Sequence, residues 1–189
     1  MIKPNNYDNV QTFRGFETLE LGGHICIIKK VEECKSSTGK DMIRIFIDTD
    51  KSDKQPNFYE NRYKGDTREN KKWGCIIYQL VLDSNGDTSK GFKSFVESVI
   101  ASNKGFEVQW NENFENCFKG KLVAGVFGKE EYYNALGESK FAIKCVGFRT
   151  LQDLKDGKIE VPKDKLLNPS NNSNGFNDLI PVNNDDLPF

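Results

Sequence analysis

The sequence has few of the residues and runs that mark a metal site or a membrane protein. Its 189 residues include one histidine, His24, and five cysteines that are scattered without a Cys-x-x-Cys pair. A tetrahedral zinc site needs closely spaced Cys or His ligands, so the spacing predicts no metal site and buried, reduced thiols instead. No stretch approaches the roughly 20 apolar residues that cross a bilayer, and the start of the sequence lacks the apolar run of a signal peptide. We therefore expect a cytoplasmic protein without a membrane partner.

Catalytic signatures are also missing. The sequence contains no Gly-rich phosphate loop, no Gly-x-Ser-x-Gly elbow, no His-Glu-x-x-His motif and no Cys/His pairing. Three aspartates lie close together in DTDKSD, but an EF-hand loop beginning at Asp48 would need Gly and Glu where Asp53 and Tyr59 stand. We expect no cofactor and no enzymatic activity. A carboxylate-metal nuclease around Asp48 and Asp50 is the enzymatic alternative.

Basic residues are absent from the last part of the chain. All 27 Lys and Arg lie at or before Lys165, and three acids follow it, namely Asp178, Asp185 and Asp186. From Asn168 onwards the sequence is rich in Asn and Pro, and its few apolar residues are too isolated to form a core. Such a segment cannot offset the entropy cost of ordering. The expected organisation is one domain over residues 1–165, which starts with an N-terminal arm (1–18), and a flexible acidic tail over residues 166–189.

Alternating runs predict the strands of the body. In HICIIKKVEECKSSTGKDMIRIFIDTD two β-branched runs flank turn-forming residues, which predicts a hairpin. Side chains alternate along a strand, so Ile43, Ile45 and Ile47 are expected to face the core while Arg44 and Phe46 face the other way. The run KKWGCIIYQLVLD is apolar on both faces and predicts a central strand, and FKGKLVAGVFGKEEYYNALGESKFAIKCVGFRT predicts a second hairpin with a long tip.

One segment, FKSFVESVIASN, carries the period of an amphipathic helix. Its apolar residues recur at helical spacing: Phe92, Phe95, Val96, Val99 and Ile100. Thr88 or Ser89 is suited to cap its start, and Gly105 to adopt the left-handed turn after its end. Three strands, a helix and two strands suit a mainly β, five-stranded barrel of the OB type with the helix between strands three and four. A five-strand meander with a helix on one face would give the same order.

Aromatic and basic residues interleave after the second strand. Single-stranded nucleic acid is held by aromatic rings that stack on bases and by cations that follow the backbone. OB barrels commonly bind it on strands two and three and the loops beside them. The predicted contacts are Arg44, Phe46, Phe58, Tyr59, Arg62, Tyr63, Lys64, Arg68, Lys71, Lys72 and Trp73, followed by Tyr132 and Tyr133 of the second hairpin. The alternative is that these rings pack the loop onto the barrel and anchor the hairpin.

The final residues, DDLPF, resemble the acidic tip of bacterial single-stranded DNA-binding proteins, in which a run of Asp ends in Pro-Phe. Asp185, Asp186, Pro188 and Phe189 match that tip by position, and Leu187 replaces the usual isoleucine. In that family the tip recruits replication, recombination and repair proteins, whose pockets hold the final ring. The resemblance implies that these five residues bind partner proteins.

The order of the body segments is similar to that of the diverged single-stranded DNA-binding proteins of phages and mobile elements of low-GC bacteria. The segments are GGHICIIKKVEECKSSTGKDMIRIFIDTD, FKSFVESVI and FKGKLVAGVF. This similarity implies an OB-fold protein that coats single-stranded DNA without sequence specificity in a bacterial host cell. RNA is an alternative ligand. A protein-interaction adaptor without nucleic-acid binding is the second hypothesis. The sequence leaves open whether the protein is a monomer or a homodimer.

Overall fold

The part of the chain that the structure, a computed structural model, describes is mainly β and covers residues 1–9 and 17–167. Its strands are β1 (Gly22–Lys35), β2 (Asp41–Thr49), β3 (Ile76–Leu80), β4 (Leu122–Tyr133) and β5 (Ser139–Arg149). Its helices are α1 (Phe58–Gly65), α2 (Lys90–Ser102), α3 (Phe114–Cys117) and α4 (Leu151–Lys155). The predicted order of three strands, an amphipathic helix and two strands is confirmed, with α1, α3 and α4 added.

The five strands form one antiparallel sheet in the order β3-β2-β1-β4-β5. β1 lies at its centre, because it pairs with β2 on one side and with the first half of β4 on the other. β3 and β5 are the two edges, so the sheet is open across the residues described. The prediction that the third run forms a central strand is wrong, since β3 pairs with β2 alone. Ile76, Tyr78 and Leu80, on one of its two faces, keep intermediate exposure.

The inner face of the sheet carries the core as the alternation predicts. Ile43, Ile45 and Ile47 are between 0% and 1% exposed, and α2 packs Phe95 and Val99 against this face. The Ser89 side chain accepts a hydrogen bond from the Phe92 backbone at 3.2 Å, which is the predicted N-cap. None of the described helices is long and apolar enough to cross a membrane.

Helix α1 lies where the sequence predicted a polar loop. Backbone N–H groups in its first turn donate hydrogen bonds to a residue that is distant in the sequence. The Asp48 carboxylate accepts them from Tyr59 (2.8 Å) and Glu60 (3.1 Å). The pKa of Asp48 is raised by burial, although these N–H groups oppose the effect. The helix inserts Phe58 into the core beside Tyr59, so α1 covers one end of the sheet.

A buried polar cluster joins the start of β1 to the loop after β2. The His24 ring lies 2.8 Å through Nδ1 from Asp53 Oδ1 and 3.0 Å through Nε2 from the Glu20 carbonyl oxygen. Asp53 also accepts the N–H groups of Ile25 (2.7 Å) and Gln55 (2.9 Å). Burial alone would raise the pKa of Asp53, but the His24 ring and these N–H groups outweigh it, and the pKa is lowered. The cluster fixes the loop that leads into α1.

The chain after α4 forms a strap, residues 158–167, over the outer side of β1 and β4. The close approach of α4 and the strap explains two glycines. A Cβ at Gly23 would lie 2.5 Å from Leu154 and 3.2 Å from Ile159, and one at Gly128 would lie 3.1 Å from Pro162. Lys165 then pairs in parallel with Glu130 of β4. The strap ends beside the part of the β4–β5 hairpin that extends past β1, which we call the arm (residues 128–144).

Candidate nucleic-acid interface

The outer face of β1, β2 and β3 presents aromatic, aliphatic and charged side chains in transverse rows. The register places Lys30 opposite Phe46 and Phe46 opposite Ile76 in one row. In the next row Arg44 lies between Glu32 and Tyr78. Directly opposed residues of an antiparallel sheet project to the same side, so these side chains share one surface. We call it the outer face.

The rings of the outer face are half-buried and lie next to cations. Phe46 and Tyr78 have intermediate exposure, so each ring keeps an accessible part. The Lys30 ammonium lies 5.9 Å from the centre of the Phe46 ring. Arg44 is held by Glu32 at 2.8 Å, an ion pair on the same surface. A face with planar rings and nearby cations offers both kinds of contact that a single strand needs.

A second aromatic group continues from this face. The Trp73 indole N–H donates to the carbonyl of Ile47 at 2.8 Å, one residue beyond Phe46. The Trp73 ring lies 5.7 Å from Tyr63, and the Lys71 ammonium lies 4.6 Å from the Tyr63 ring centre. The structure thus brings Tyr63, Lys71 and Trp73 together near the end of the Phe46 row. We call these three residues the Trp73 cluster.

The remaining basic residues of the predicted loop lie on or after α1, and carboxylates accompany them. Lys64 bonds Glu60 at 2.6 Å, and Arg68 bonds Asp66 at 2.6 Å. The hydrogen bond from Lys64 lowers the pKa of Glu60 to about 2, and that from Arg68 lowers the pKa of Asp66 to about 2. A phosphate at these positions would compete with a carboxylate for its cation. The two other predicted cations also lie here, Arg62 on α1 and Lys72 on the segment that precedes β3.

Two predicted stacking residues lie inside the protein. Phe58 and Tyr59 are each 5% exposed, and Tyr59 stacks on Phe127 with ring centres 6.4 Å apart and an interplanar angle of 27°. Burial raises the pKa of Tyr59, whose hydroxyl lies beside Cys75. In this conformation neither ring has a face for a base. Both residues anchor α1 in the core, as the packing alternative expected.

The predicted tyrosines of the second hairpin lie in a strand rather than in its tip. Tyr132 and Tyr133 close β4, and Tyr133 is 46% exposed. The register puts Tyr133 and Phe141, which is 48% exposed, on one side of the arm and Tyr132 with Lys140 on the other. The two tyrosines therefore face opposite directions, and one ligand strand on one side of the arm would meet only one of them.

Residues on β1 and β3 complete the outer face and were not predicted from the sequence. Lys30, Ile76 and Tyr78 enter it through pairing with β2. The available signal is the alternation of Ile76, Tyr78 and Leu80 in CIIYQLVLD. The sequence alone predicts burial on both sides of this run, because a single sequence does not show which strand is an edge.

The aspartates of the nuclease alternative are engaged locally. Asp48 caps α1, Asp50 accepts both the Ser52 N–H (2.9 Å) and its hydroxyl (2.6 Å), and Asp53 contacts His24. Across residues 1–9 and 17–167, no group of three His, Cys, Asp or Glu side chains could hold a metal ion. The cysteines are free thiols, and Cys26, Cys75 and Cys145 are buried.

The predicted partner-binding tip lies outside the described residues, which end at Leu167. This applies to Asp185, Asp186, Leu187, Pro188 and Phe189. A comparison of the chain with protein-family models finds no matching family, and a comparison with curated proteins finds no significant match. The outer face and the Trp73 cluster are therefore the basis for a functional assignment.

Proposed function

We propose that the protein binds single-stranded DNA without sequence specificity and performs no catalysis. The observation that carries the proposal is the outer face, where Phe46 and Tyr78 lie in adjacent rows with Lys30 and Arg44 beside them. Base stacking on aromatic rings tolerates any sequence because every base has a π face. Two stacked bases at about 1 to 3 kcal/mol each, with a few phosphate contacts, are enough for useful affinity.

An OB-type body is part of this proposal, and the strand order supports it. An OB barrel is a five-stranded, partly open Greek-key barrel that binds oligonucleotides on strands two and three. The sheet order β3-β2-β1-β4-β5, with α2 between β3 and β4, matches such a barrel opened between its third and fifth strands. Cys75, just before β3, lies close to the backbone of Cys145 in β5, so the two edges approach each other there.

The DNA path that we propose runs from the outer face over the Trp73 cluster toward the arm. The approach of Cys75 to Cys145 brings the base of the arm near the residues that follow Trp73. Tyr133 or Tyr132 would then provide an additional stacking surface. Carboxylates pair with several cations on this path, so we expect a moderate dependence of affinity on salt concentration.

Recruitment of replication, recombination or repair proteins is proposed for the tip, from Asp185 to Phe189. The support is the resemblance of DDLPF to the acidic tips of bacterial single-stranded DNA-binding proteins. The strap ends beside the arm, so the tail would leave the body near the end of the proposed DNA path.

The test is a fluorescence anisotropy titration of the full chain against labelled oligo-dT, the matching duplex and the matching RNA. We expect oligo-dT to bind more tightly than the duplex, with log Kd rising linearly with log salt concentration. No binding at low salt would reject the proposal in favour of an adaptor. Cleavage of the labelled strand in the presence of magnesium or manganese would show that the protein is a nuclease and would contradict the proposal that it performs no catalysis.

A further inference from the structure

A groove lies at the other end of the sheet, between α2 and the segment around α3. Its volume is about 700 Å³, and its floor is apolar, formed by Ile43, Val81, Phe92, Val96 and Phe114. Trp110 lies at its edge with 68% of its surface exposed, the most exposed Trp, Phe or Tyr ring in residues 17–167. The Trp110 ring stacks on Phe114 with centres 5.4 Å apart and an angle of 24°. Packing therefore holds an exposed indole in a fixed orientation above an apolar floor.

The charges around this groove are mainly negative. Glu33 and Glu97 line it, and Lys93 is the only basic residue among the described residues that do so. The wall that carries Trp110 adds Glu112 and Glu115, and the segment from residue 107 to 115 has no basic side chain. The Glu115 carboxylate accepts a hydrogen bond from the Glu33 backbone N–H at 2.5 Å, which places both residues at one rim of the groove.

This charge distribution decides which ligand suits the groove. Phosphates would be repelled by the glutamates, so the exposed Trp110 does not fit the DNA path. The chain's own tail is also acidic after Lys165 and would meet the same repulsion. A cationic partner with apolar side chains would gain both apolar burial on the floor and attraction at the rim.

We infer that the groove binds a basic amphipathic peptide segment of a partner protein. An apolar side chain of the peptide packs against Trp110 and Phe114, and its Lys or Arg residues pair with Glu33 and Glu97. A volume of about 700 Å³ accommodates a few apolar side chains, as in the groove-binding mode of amphipathic helices. This site is separate from the outer face and does not depend on DNA binding.

The probe is a fluorescein-labelled amphipathic peptide of leucine and lysine, titrated into the full chain by anisotropy. We expect this peptide to bind, and two peptides of the same length to bind at least about ten-fold more weakly, one with Glu for Lys and one with Ser for Leu. Trp110→Ala should weaken binding by about ten-fold or more, and Glu97→Lys should also weaken it. Leu136→Ala is the matched control, because Leu136 is 83% exposed on the arm.

Three results would overturn the inference. Equal binding of the Leu/Lys peptide to wild type and Trp110→Ala would place the peptide elsewhere. Displacement of the peptide by oligo-dT would assign Trp110 to the DNA path. A wild-type dimer that Trp110→Ala converts to a monomer in sedimentation would assign the groove to a second copy of this chain. Thermal unfolding of each variant shows whether its fold is intact. Glu97→Lys changes an exposed residue, so it tests the groove independently of Trp110→Ala.

Discussion

Replacement of Phe46 by alanine tests the proposed DNA site most directly. Phe46 lies at the centre of a row of the outer face, between Lys30 and Ile76. If one base stacks on its ring, the loss of about 1 to 3 kcal/mol corresponds to a rise of about 5- to 150-fold in Kd for oligo-dT. Because Phe46 is half-buried, we expect a smaller loss of stability than for a core phenylalanine.

The salt dependence of this effect separates stacking from charge. Phe46→Ala removes no cation, so the slope of log Kd against log salt concentration should stay at the wild-type value. Lys30→Ala should reduce the slope by about 0.7 if its ammonium contacts one phosphate of a single strand. The Lys30 variant therefore changes the slope, whereas the Phe46 variant shifts the whole line.

Trp110→Ala is the matched control for an aromatic deletion. Its ring is more exposed than that of Phe46, but the groove beside it is lined by Glu33 and Glu97. We expect its Kd for oligo-dT to equal that of the wild type in the anisotropy titration. Unchanged affinity of Phe46→Ala would refute the assignment of the outer face, and weakened affinity of Trp110→Ala would place the DNA at the groove instead.

The other predictions concern stability, measured as the free energy of unfolding in denaturant. Tyr59→Ala should lower it by about 3 to 5 kcal/mol because a buried ring is lost, with DNA affinity of the folded fraction unchanged; a stable variant with weak DNA binding would contradict this. Gly125→Ala should cost about 1 to 3 kcal/mol because its Cβ would lie 2.8 Å from Cys26 Sγ, whereas Gly147→Ala, with open space, should change little. The lowered pKa of Asp53 gives a contribution that is complete above its unfolded value of about 3.9 and is lost as the pH falls through the folded value. The acid loss of stability should therefore be steeper in the wild type than in Asp53→Asn, and equal slopes would exclude this role.

The regular parts of the fold follow from local patterns. The period of two in Ile43, Ile45 and Ile47 gave the buried face of β2, and the helical period gave α2 with its Ser89 cap. Both patterns depend on neighbours within a few residues, so one sequence contains them. Phe46 and Arg44 were assigned to the outer face by the same alternation.

Other parts depend on contacts between distant positions. α1 has no amphipathic period, and its N-terminus is satisfied by Asp48, ten residues before the helix begins. This explains why the segment resembles a loop in the sequence. It also explains why the sequence alone predicts Phe58 and Tyr59, which are adjacent rather than spaced along one face, as surface rings. No local signal distinguishes a ring that enters the core from one that stacks on a base.

β3 shows how sheet order changes the meaning of a pattern. Apolar residues on both faces usually indicate a strand with layers on each side. Here the strand is an edge, and its Ile76 and Tyr78 keep intermediate exposure on the outer face. Exposed edges invite pairing with other chains, and a short strand limits that risk. β3 has five residues, so it offers few backbone groups for pairing with another chain. Its contribution to the proposed site comes from its side chains.

The two exposed aromatic sites differ in the sign of the charge around them. At the outer face the Lys30 ammonium lies 5.9 Å from Phe46, and Lys71 lies 4.6 Å from Tyr63. At the groove Glu33 and Glu97 line the wall together with Lys93, and Glu112 and Glu115 follow Trp110 in the sequence. An aromatic ring alone attracts bases and apolar peptide side chains alike, because stacking and apolar burial both use its face. The neighbouring charges select between a polyanion and a polycation, so we expect the rings of the outer face to bind DNA and Trp110 to bind a basic peptide.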